Sequence, residues 1–423
     1  MLNLQAYCVY ARVYIETHMS RVEQIRSLFP ALSRKVYGKD LVYFDNAATS
    51  QRTQSVLDMW NRISSESNAN IHRAVHCMAE EATKAYEQSR DAVKSFLNAE
   101  SREEIIFTSG TTAAINLVAF CFGEAFINEG DEVVVTEAEH HSNIVPWQMM
   151  CRRKGAVLKV LPVDDSGHLM VDKLDDILSD KTRIMAVTHI SNVLGIINPI
   201  KEIIKKCHSK GIAVLVDGAQ GIVHCNVDVK DLDCDFYAFS GHKLYAATGT
   251  GVLYGKKKWL DAMPPYMGGG EMVGTVTFEE TTYAPLPMKF EAGTQNFAST
   301  ATIKPAIEFV NLLKFNNSDT IRDYLLEKLT SNERIKIYGV PCGTNDEKIP
   351  LFSFTVDGVH HEDLALILDK MGIAVRSGQM CAEPLMDRFG VTGMLRVSVA
   401  PYNTMEEAEY FVKCLDKAVN MLI

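Results

Sequence analysis

Short apolar runs alternate with helix-like patterns through the middle of the chain. The helical patterns lie between several of the runs, for example over residues 111–127 and 199–210. Most of the runs are continuously apolar, as is typical of strands that are buried on both faces of a sheet. Such strands are predicted over residues 104–107, 132–135, 157–160, 184–187, 213–216 and 236–239. The alternation predicts an α/β fold with a mainly parallel sheet, which holds ligands at the carboxyl ends of its strands.

From about residue 305 onward the pattern changes and predicts a smaller α+β domain. Its elements are expected as a helix near 320–330, a strand over 351–356, a helix near 361–370, strands near 372–376 and 394–399, and a final helix. The chain is long enough for one large and one smaller domain. We predict an N-terminal segment over residues 1–38, a large domain over 39–304 and a small domain over 305–423. Residues 1–18 are expected to be disordered or not native, and residues 19–38 to pack with the small domain.

Composition and charge argue against several classes of protein function. The hydrophobic content of 47% and the charged content of 23% are those of an ordinary globular protein. The net charge of -10 argues against general binding to nucleic acid or to an anionic membrane. The ten cysteines are scattered without a C-x-x-C pair, which favours neither a disulfide framework nor a metal site and suits a reducing compartment. With no apolar stretch long enough to span a membrane, a cytoplasmic protein is expected.

Two of the predicted strands end in residues with complementary chemistry. Asp217 directly follows the strand over 213–216, and Lys243 follows the strand over 236–239. Pyridoxal 5'-phosphate (PLP) needs both residue types, because a lysine bonds its aldehyde and an acid keeps its pyridine nitrogen protonated. A lone lysine after a strand is usually a solvated loop residue. The pair therefore favours a PLP site at the carboxyl edge of the sheet.

Other polar residues fall at the same predicted edge. Residues 110–112 follow a strand and open a helix, where free N–H groups and hydroxyls can hold a phosphate, although threonine is also a common helix cap. A histidine at a strand end can lie flat on the pyridine ring, and an ordinary loop histidine is an equal alternative. The candidates are Thr111, Thr112, Ser240 and His242 for the phosphate, His140 for the ring and Gln220 for the phenolic oxygen.

Several motifs then resemble one family. They are EHHSNIVPWQ at 139–148, VDGAQ at 216–220, DCDFYAFSGHK at 233–243 and FEAGT at 290–294. In this order they are similar to the cysteine desulfurases of the class V aminotransferase family. The resemblance runs from about Tyr43 to the C-terminus and is strongest to the group II (SufS) type, which includes selenocysteine lyase-like enzymes. It implies a fold-type I PLP-dependent transferase that forms a homodimer.

The resemblance also implies a role for each candidate. Lys243 would bond the cofactor and Asp217 would pair with its pyridine nitrogen. Thr294 would reach the phosphate of the neighbouring subunit. Asn192 and Arg396 would hold the substrate carboxylate, which a guanidinium can grip with two hydrogen bonds. The remaining implied contacts to PLP are those of Thr111, Thr112, His140, Gln220, Ser240 and His242, and no metal site is implied.

The segment AVRSGQMCAEPLM at 374–386 resembles the sulfur-accepting loop of the family, with Cys381 as the nucleophile. A buried structural cysteine is the ordinary alternative for any one cysteine. Many relatives have two histidines immediately before this cysteine, where this chain has Gln379 and Met380. Neither can move a proton, so slow turnover without an acceptor is expected. Arg376, also a candidate for the substrate site, remains as a positive charge that favours the thiolate.

A further match to group II is the segment PPYMGGGEM at 264–272. Its glycines are predicted to form a backbone hairpin rather than a phosphate loop, because no Lys-Ser/Thr pair follows them.

The predicted activity is conversion of L-cysteine to L-alanine, with the sulfur held as a persulfide on Cys381. The resemblance implies transfer of that sulfur to a SufE- or SufU-like acceptor, and onward to the Suf scaffold, for iron–sulfur cluster assembly. Two alternatives stay open. A selenocysteine lyase or another PLP-dependent amino-acid lyase would use the same lysine and arginine, and dependence on Cys381 separates these cases. A PLP-bound assembly scaffold without catalysis would be favoured only if Lys243 or Arg396 were missing.

Overall fold

The structure is a computed structural model and describes residues 20–313, 318–339 and 347–423. The predictions for residues 1–18 lie outside the described residues. The strands, in chain order, are β1 (Lys35–Val36), β2 (Lys39–Asp40), β3 (Val42–Tyr43), β4 (Ile105–Thr108), β5 (Glu132–Thr136), β6 (Val157–Leu161), β7 (Thr182–Thr188), β8 (Ala213–Asp217), β9 (Phe236–Ser240), β10 (Gly251–Gly255), β11 (Val273–Val276), β12 (Thr281–Tyr283), β13 (Ile335–Tyr338), β14 (Leu351–Val356), β15 (Ile373–Ala374), β16 (Arg376–Gly378) and β17 (Met394–Ser398).

Helices fill most of the connections between these strands. In chain order they are α1 (Arg21–Ser27), α2 (Gln54–Glu66), α3 (Cys77–Phe96), α4 (Thr111–Phe126), α5 (Val145–Lys154), α6 (Leu174–Ile177), α7 (Ile200–Ser209), α8 (Gly221–His224), α9 (Val229–Leu232), α10 (Lys257–Ala262), α11 (Phe297–Thr300), α12 (Ile303–Leu312), α13 (Ser318–Thr330), α14 (His361–Lys370), α15 (Glu383–Phe389) and α16 (Met405–Leu422). The helices predicted over 111–127 and 199–210 are confirmed as α4 and α7.

A seven-stranded sheet in the order β4-β10-β9-β8-β7-β5-β6 forms the centre of the larger part. Strand β10 runs antiparallel to β4 and β9, and the other neighbours are parallel. All six strands predicted from apolar runs belong to this sheet, so the mainly parallel α/β prediction is confirmed. Strand β10 was not predicted, because glycines such as those at its two ends are typical of turns. Gly251 is required there, since a Cβ would lie 2.5 Å from the Cα of Gly110.

The C-terminal part has its own sheet, in the antiparallel order β13-β14-β17-β16. Side chains from this sheet, such as Phe352 and Val397, pack with Phe411 of α16 in a separate apolar core. This agrees with the predicted α+β character. The strand predicted near 372–376 is divided in two, because β15 pairs with β3 of the N-terminal region while β16 pairs with β17.

Residues 20–44 run across both parts. Arg26 donates to the carbonyl oxygen of Tyr402 (3.2 Å) and forms an ion pair with Glu407 (2.8 Å). Phe29 packs on Tyr245 of the larger part and on Tyr402, with ring centroids 5.9 and 4.5 Å apart. The domain boundaries at 38/39 and 304/305 stay predictions.

The hairpin prediction for residues 264–272 is wrong in its position. These residues form bends and irregular structure, and the paired strands of the hairpin are β11 and β12 farther along the chain. The physical reason is that the glycines at 268–270 offer no side chains for cross-strand contacts, whereas β-branched residues such as Val276 and Thr281 do. The exposed Phe278 lies between the two strands.

A buried ion pair connects β4 to the segment that contains Thr294. Arg90 and Glu291 share two hydrogen bonds of 2.8 and 2.9 Å, and their side chains are 0% and 1% exposed. Glu291 also accepts hydrogen bonds from the Tyr86 hydroxyl and the Phe107 N–H, both at 2.7 Å. Removing one partner of such a pair costs about 3–5 kcal/mol, because the other charge stays buried. The network therefore holds β4, the strand that leads to residues 110–112, against this segment.

Candidate active site

The carboxyl ends of the parallel strands open into one cavity of about 280 Å³ between the larger part and the C-terminal part. Asp217 and Ser240 are the last residues of β8 and β9, which are hydrogen-bonded neighbours. The cavity brings together all but one of the predicted site residues, namely Thr111, Thr112, His140, Asn192, Asp217, Gln220, Ser240, His242, Lys243, Arg376, Cys381 and Arg396. The exception, Thr294, lines a second cavity with Tyr86, Phe107 and Tyr266.

Lys243 and Asp217 are the central charged pair of this cavity. Lys243 lies in the turn at residues 241–243 that follows β9. Burial lowers the pKa of its amine to about 8, an effect that Asp217 opposes and Arg396 increases. Burial raises the pKa of the Asp217 carboxyl, against the hydrogen bond from the Ala219 N–H (2.9 Å) and the charge of Lys243. An amine with this pKa is partly neutral near neutral pH, which a nucleophile and a base require.

Hydroxyl groups cluster where α4 begins, beside the end of β9. Ser240 Oγ accepts from the Thr111 N–H (2.8 Å) and lies 2.7 Å from Thr111 Oγ1. The hydroxyls of Thr112 and Ser142 are 2.7 Å apart. Gly110 allows this close approach, since a Cβ there would lie 3.3 Å from Ser240 Oγ. Free N–H groups of a sixteen-residue helix and several hydroxyls form a site suited to a phosphate group.

The histidines of the cavity are held in the neutral form. Burial, assisted by the charge of Lys243, lowers the pKa of both His140 and His242 to about 4. The Nδ1 atom of His140 accepts a hydrogen bond from the Ser142 N–H (3.1 Å), so its proton lies on Nε2. This bond fixes the orientation of the imidazole at the end of β5. The side-chain amide of Gln220 donates to the Ala47 carbonyl oxygen (2.9 Å).

Two arginines and one carboxylate form the other side of the cavity. Arg396 is 3% exposed and donates to Asp45 Oδ1 (3.2 Å) and to the Asn192 carbonyl oxygen (2.8 Å). Its Nε is buried and has no hydrogen-bond partner among the described residues. Arg376 Nη1 lies 4.0 Å from the second oxygen of Asp45. Two cations against one carboxylate leave a net positive charge, which suits the carboxylate of a small substrate.

Sequence reasoning missed Asp45. Burial raises the pKa of its carboxyl, and Arg396 and Arg376 counter that effect. Its partner Arg396 is far away along the chain, so no local motif shows the contact. The only available signal was an acidic residue at the point where the family resemblance begins.

Cys381 is exposed at the mouth of the cavity, on a loop of residues 379–382 that we call the Cys381 loop. Met380 and Cys381 have φ angles of 54° and 55°. This left-handed conformation costs non-glycine residues roughly 1–2 kcal/mol each. The Asn192 amide donates to the Met380 carbonyl oxygen (2.8 Å), and the His141 N–H donates to that of Cys381 (2.7 Å). These bonds offset the cost and hold the loop beside the cavity.

The two residues that replace histidines in this loop have different surroundings. Met380 is 5% exposed and packs into the apolar core, while Gln379 is exposed and its amide lies 3.3 Å from a Glu383 carboxylate oxygen. Neither supplies an ionisable group beside the thiol.

The residues of the cavity fit PLP. The buried amine of Lys243 and the buried carboxylate of Asp217 suit its aldehyde and its pyridine nitrogen. The hydroxyl cluster suits its phosphate, and the unpartnered Nε of Arg396 leaves a donor for an anionic substrate. The described residues contain no group of three or more metal-ligating side chains. In the same part of the chain, no helix combines the length and apolar character that crossing a membrane requires.

Fold and site together define a fold-type I PLP-dependent enzyme. Residues 42–411 match the family described as Aminotransferase class-V. The chain belongs to this family, and its cofactor is PLP.

Among its relatives, a cysteine desulfurase of Cronobacter sakazakii is 44% identical over 406 residues, which cover 95% of this chain and 99% of the relative. A cysteine desulfurase of Synechococcus elongatus is 46% identical over 391 residues, or 92% of this chain, and this chain spans only 62% of that relative's length.

Solved structures agree with this assignment. The cysteine desulfurase CsdA (S-sulfonic acid) from Escherichia coli superposes with a TM-score of 0.87 at 38% identity, covering 96% of this chain and 100% of that one. The apo structure of a cysteine desulfurase from Thermococcus onnurineus NA1 gives a TM-score of 0.89 at 34% identity, covering 95% and 99%.

Proposed function

We propose that this protein is a PLP-dependent cysteine desulfurase of the group II type, which converts L-cysteine to L-alanine and holds the sulfur on Cys381. The observation that carries this proposal is an exposed thiol at the mouth of a cavity that contains a buried lysine and a buried arginine. A simple decarboxylase, racemase or aminotransferase has no use for a thiol in this place. We also propose that it works in the cytoplasm, where scattered free cysteines stay reduced.

The first test is an assay of alanine and sulfide from L-cysteine by the purified holoenzyme, with L-selenocysteine in parallel. Equal amounts of alanine and reducible sulfur are expected, because each turnover breaks one Cβ–S bond. Pyruvate and ammonia in place of alanine would instead identify a β-lyase. Turnover of selenocysteine alone would identify a selenocysteine lyase.

The proposed roles toward the cofactor follow from the side chains. Lys243 would bond the aldehyde and, as a free amine, would accept the Cα proton of the substrate. Asp217 would keep the pyridine nitrogen protonated, and His140 would lie beside the ring. When bound, PLP supplies an electron sink that weakens the bonds at Cα and Cβ of the substrate. The phosphate contacts are proposed for Thr111, Thr112, Ser240 and His242, and the phenolic oxygen contact for Gln220.

Substrate recognition is proposed to rest on the two arginines. Arg396 binds the carboxylate of L-cysteine, with Arg376 contributing charge at the mouth of the cavity. Asn192 adds a side-chain amide near the same position. Its nitrogen carries two N–H groups, so it can donate to substrate while it donates to the Met380 carbonyl oxygen. Substrate binding and the conformation of the Cys381 loop are therefore connected through one side chain.

The sulfur step balances with this chain's own thiol. The thiolate of Cys381 attacks the substrate sulfur, and the Cβ–S electron pair stays with the carbon. A proton from solvent is added at Cβ, and Lys243 returns the proton that it took from Cα, which completes alanine. The product on the protein is a persulfide at Cys381. An exposed loop suits its transfer to a thiol of a SufE- or SufU-like acceptor, and onward to the Suf scaffold. Retention of both Lys243 and Arg396 in the cavity favours this activity over a non-catalytic assembly scaffold.

A homodimer is proposed because Thr294 lies outside the cavity of its own chain. The resemblance implies that it contacts the phosphate site of the partner subunit. We expect Thr294→Ala to weaken PLP binding about ten-fold, as loss of one hydrogen bond to a charged group does. Mixed dimers of a Thr294→Ala chain and a Lys243→Ala chain should nevertheless bind PLP normally at one site. That site combines the intact lysine of one chain with the intact threonine of the other.

Equilibrium dialysis of PLP against tagged mixed dimers measures this. If Thr294 served its own chain, the only lysine-bearing site of the mixed dimer would lack the threonine and would bind PLP weakly. A fully active monomer in sedimentation would contradict the dimer itself.

A further inference from the structure

His141 contacts both the Cys381 loop and the start of the helix that follows it. Its main-chain N–H donates to the Cys381 carbonyl oxygen at 2.7 Å. Its ring Nε2 accepts a hydrogen bond from the Glu383 N–H at 3.0 Å, at the first residue of α15. One residue therefore bonds both the cysteine itself and the helix start two positions later. An imidazole nitrogen that accepts from an N–H carries no proton, so this contact requires Nε2 to be the unprotonated nitrogen.

We infer that His141 is a positioning residue that holds the thiol of Cys381 at the cavity, an inference that rests on the proposed function of that thiol. The neighbouring residue, His140, lines the cavity, so the segment that faces the cofactor also carries the contact to the loop. The left-handed conformations of Met380 and Cys381 are unfavourable for their residue types and need outside contacts to persist.

The contacts that hold the Cys381 loop come from two segments of the larger part of the chain. His141 follows β5, and Asn192, which bonds the Met380 carbonyl oxygen at 2.8 Å, follows β7. Of the two residues, Asn192 is also proposed to bind substrate, through the second N–H of the same amide. His141 has no such second task in the proposed mechanism. The loop thus has one contact shared with the substrate site and one contact, from His141, that serves the loop alone.

The proposal is tested with the holoenzyme and its variants His141→Leu and His141→Gln. Leucine removes the ring acceptor, whereas the side-chain oxygen of glutamine can replace Nε2. We expect iodoacetamide to alkylate Cys381 about five-fold faster in the leucine variant and within about two-fold of wild type in the glutamine variant, the scale of one hydrogen bond. Alanine formation should fall by a similar factor in the leucine variant only, with the visible absorption of the cofactor unchanged.

Peptide mass spectrometry reports the alkylation of Cys381 and, in the same digest, of the exposed Cys77 as a reference. The matched control is His360→Leu, because His360 also accepts from an N–H at a helix start (Glu362, 3.4 Å) but caps a different helix, α14. It should leave the Cys381 rate unchanged. An unchanged Cys381 rate in His141→Leu, or an equal change in His360→Leu, would overturn the inference.

Wild-type protein supplies a measurement that does not depend on the folding of a variant. Hydrogen exchange of the peptide that contains Glu383 should reveal a protected amide at that position. Exchange there at the rate of an unprotected amide would also overturn the inference. Both readouts are independent of desulfuration. An enzyme that makes no alanine from L-cysteine would therefore refute the proposed function while the alkylation and exchange results still decide the role of His141.

Discussion

Replacing Cys381 by serine is expected to abolish alanine formation from L-cysteine while the cofactor stays bound. The contacts proposed to hold PLP come from Lys243, Asp217 and the hydroxyl cluster, none of which involves the thiol. A serine hydroxyl is not ionised near neutral pH and cannot take up the substrate sulfur. The rate should fall by about three orders of magnitude or more, the scale seen when a nucleophile is removed. A coupled assay of alanine measures the loss of activity. The visible spectrum, recorded before and after L-cysteine is added, measures retention of the cofactor.

The matched control is Cys77→Ser, another exposed cysteine of the described residues. It should retain activity within about two-fold, as is usual for surface substitutions. Selenocysteine provides a second comparison, because its selenium leaves more readily and depends less on a protein nucleophile. Unimpaired desulfuration by Cys381→Ser would mean that another group takes the sulfur, and that the enzyme is a lyase.

The sheet of the larger part was largely predictable from the sequence, for a simple reason. Parallel strands that are buried on both faces are continuous apolar runs, and their carboxyl ends meet at one edge. Once β8 and β9 were placed, Asp217 and Lys243 had to lie near each other. The strand that was missed, β10, is short and bounded by glycines, and its place depends on the close approach of Gly251 to Gly110.

Contacts between the two parts of the chain were not predictable in the same way. Asp45 meets Arg396 and Arg376 because β3 pairs with β15 and Asp45 pairs with Ser398 across the fold. The anchoring of the Cys381 loop by His141 has the same origin, since neither residue carries a local pattern that indicates the other. Family resemblance named the cysteine and the lysine, but it gave no account of what holds the loop in place. Such contacts depend on packing between distant segments, which hydrophobic periodicity does not encode.

Cys381 is exposed and Lys243 is buried, and the two residues have different requirements within one site. The amine must stay neutral often enough to act as a nucleophile and a base, so burial helps it. The thiol must reach the substrate on one side and an acceptor protein on the other, so exposure helps it. A loop held by hydrogen bonds to the larger part meets both demands, because it keeps the thiol at the cavity without enclosing it.

Lys243→Ala is expected to be inactive and to bind PLP weakly, and in wild type borohydride should fix the cofactor to Lys243. The variant loses both the covalent bond to the aldehyde and the base that accepts the Cα proton, so activity should fall by about 10⁴-fold. Cofactor absorbance after dialysis, and mass spectrometry of the reduced wild-type peptide, measure the two effects.

Lys348 supplies the matched control for that result. It is 1% exposed, and burial lowers the pKa of its amine to about 7. Its neutral fraction is therefore at least as large as that of Lys243, whose pKa is about 8. It lies outside the cavity, however, and donates to the Leu194 carbonyl oxygen. If a low pKa alone selected the lysine, borohydride would label both residues. We expect label on Lys243 only, and normal cofactor binding in Lys348→Met. Label on Lys348 would refute the proposed role of Lys243, because the cavity would then not be what selects the amine.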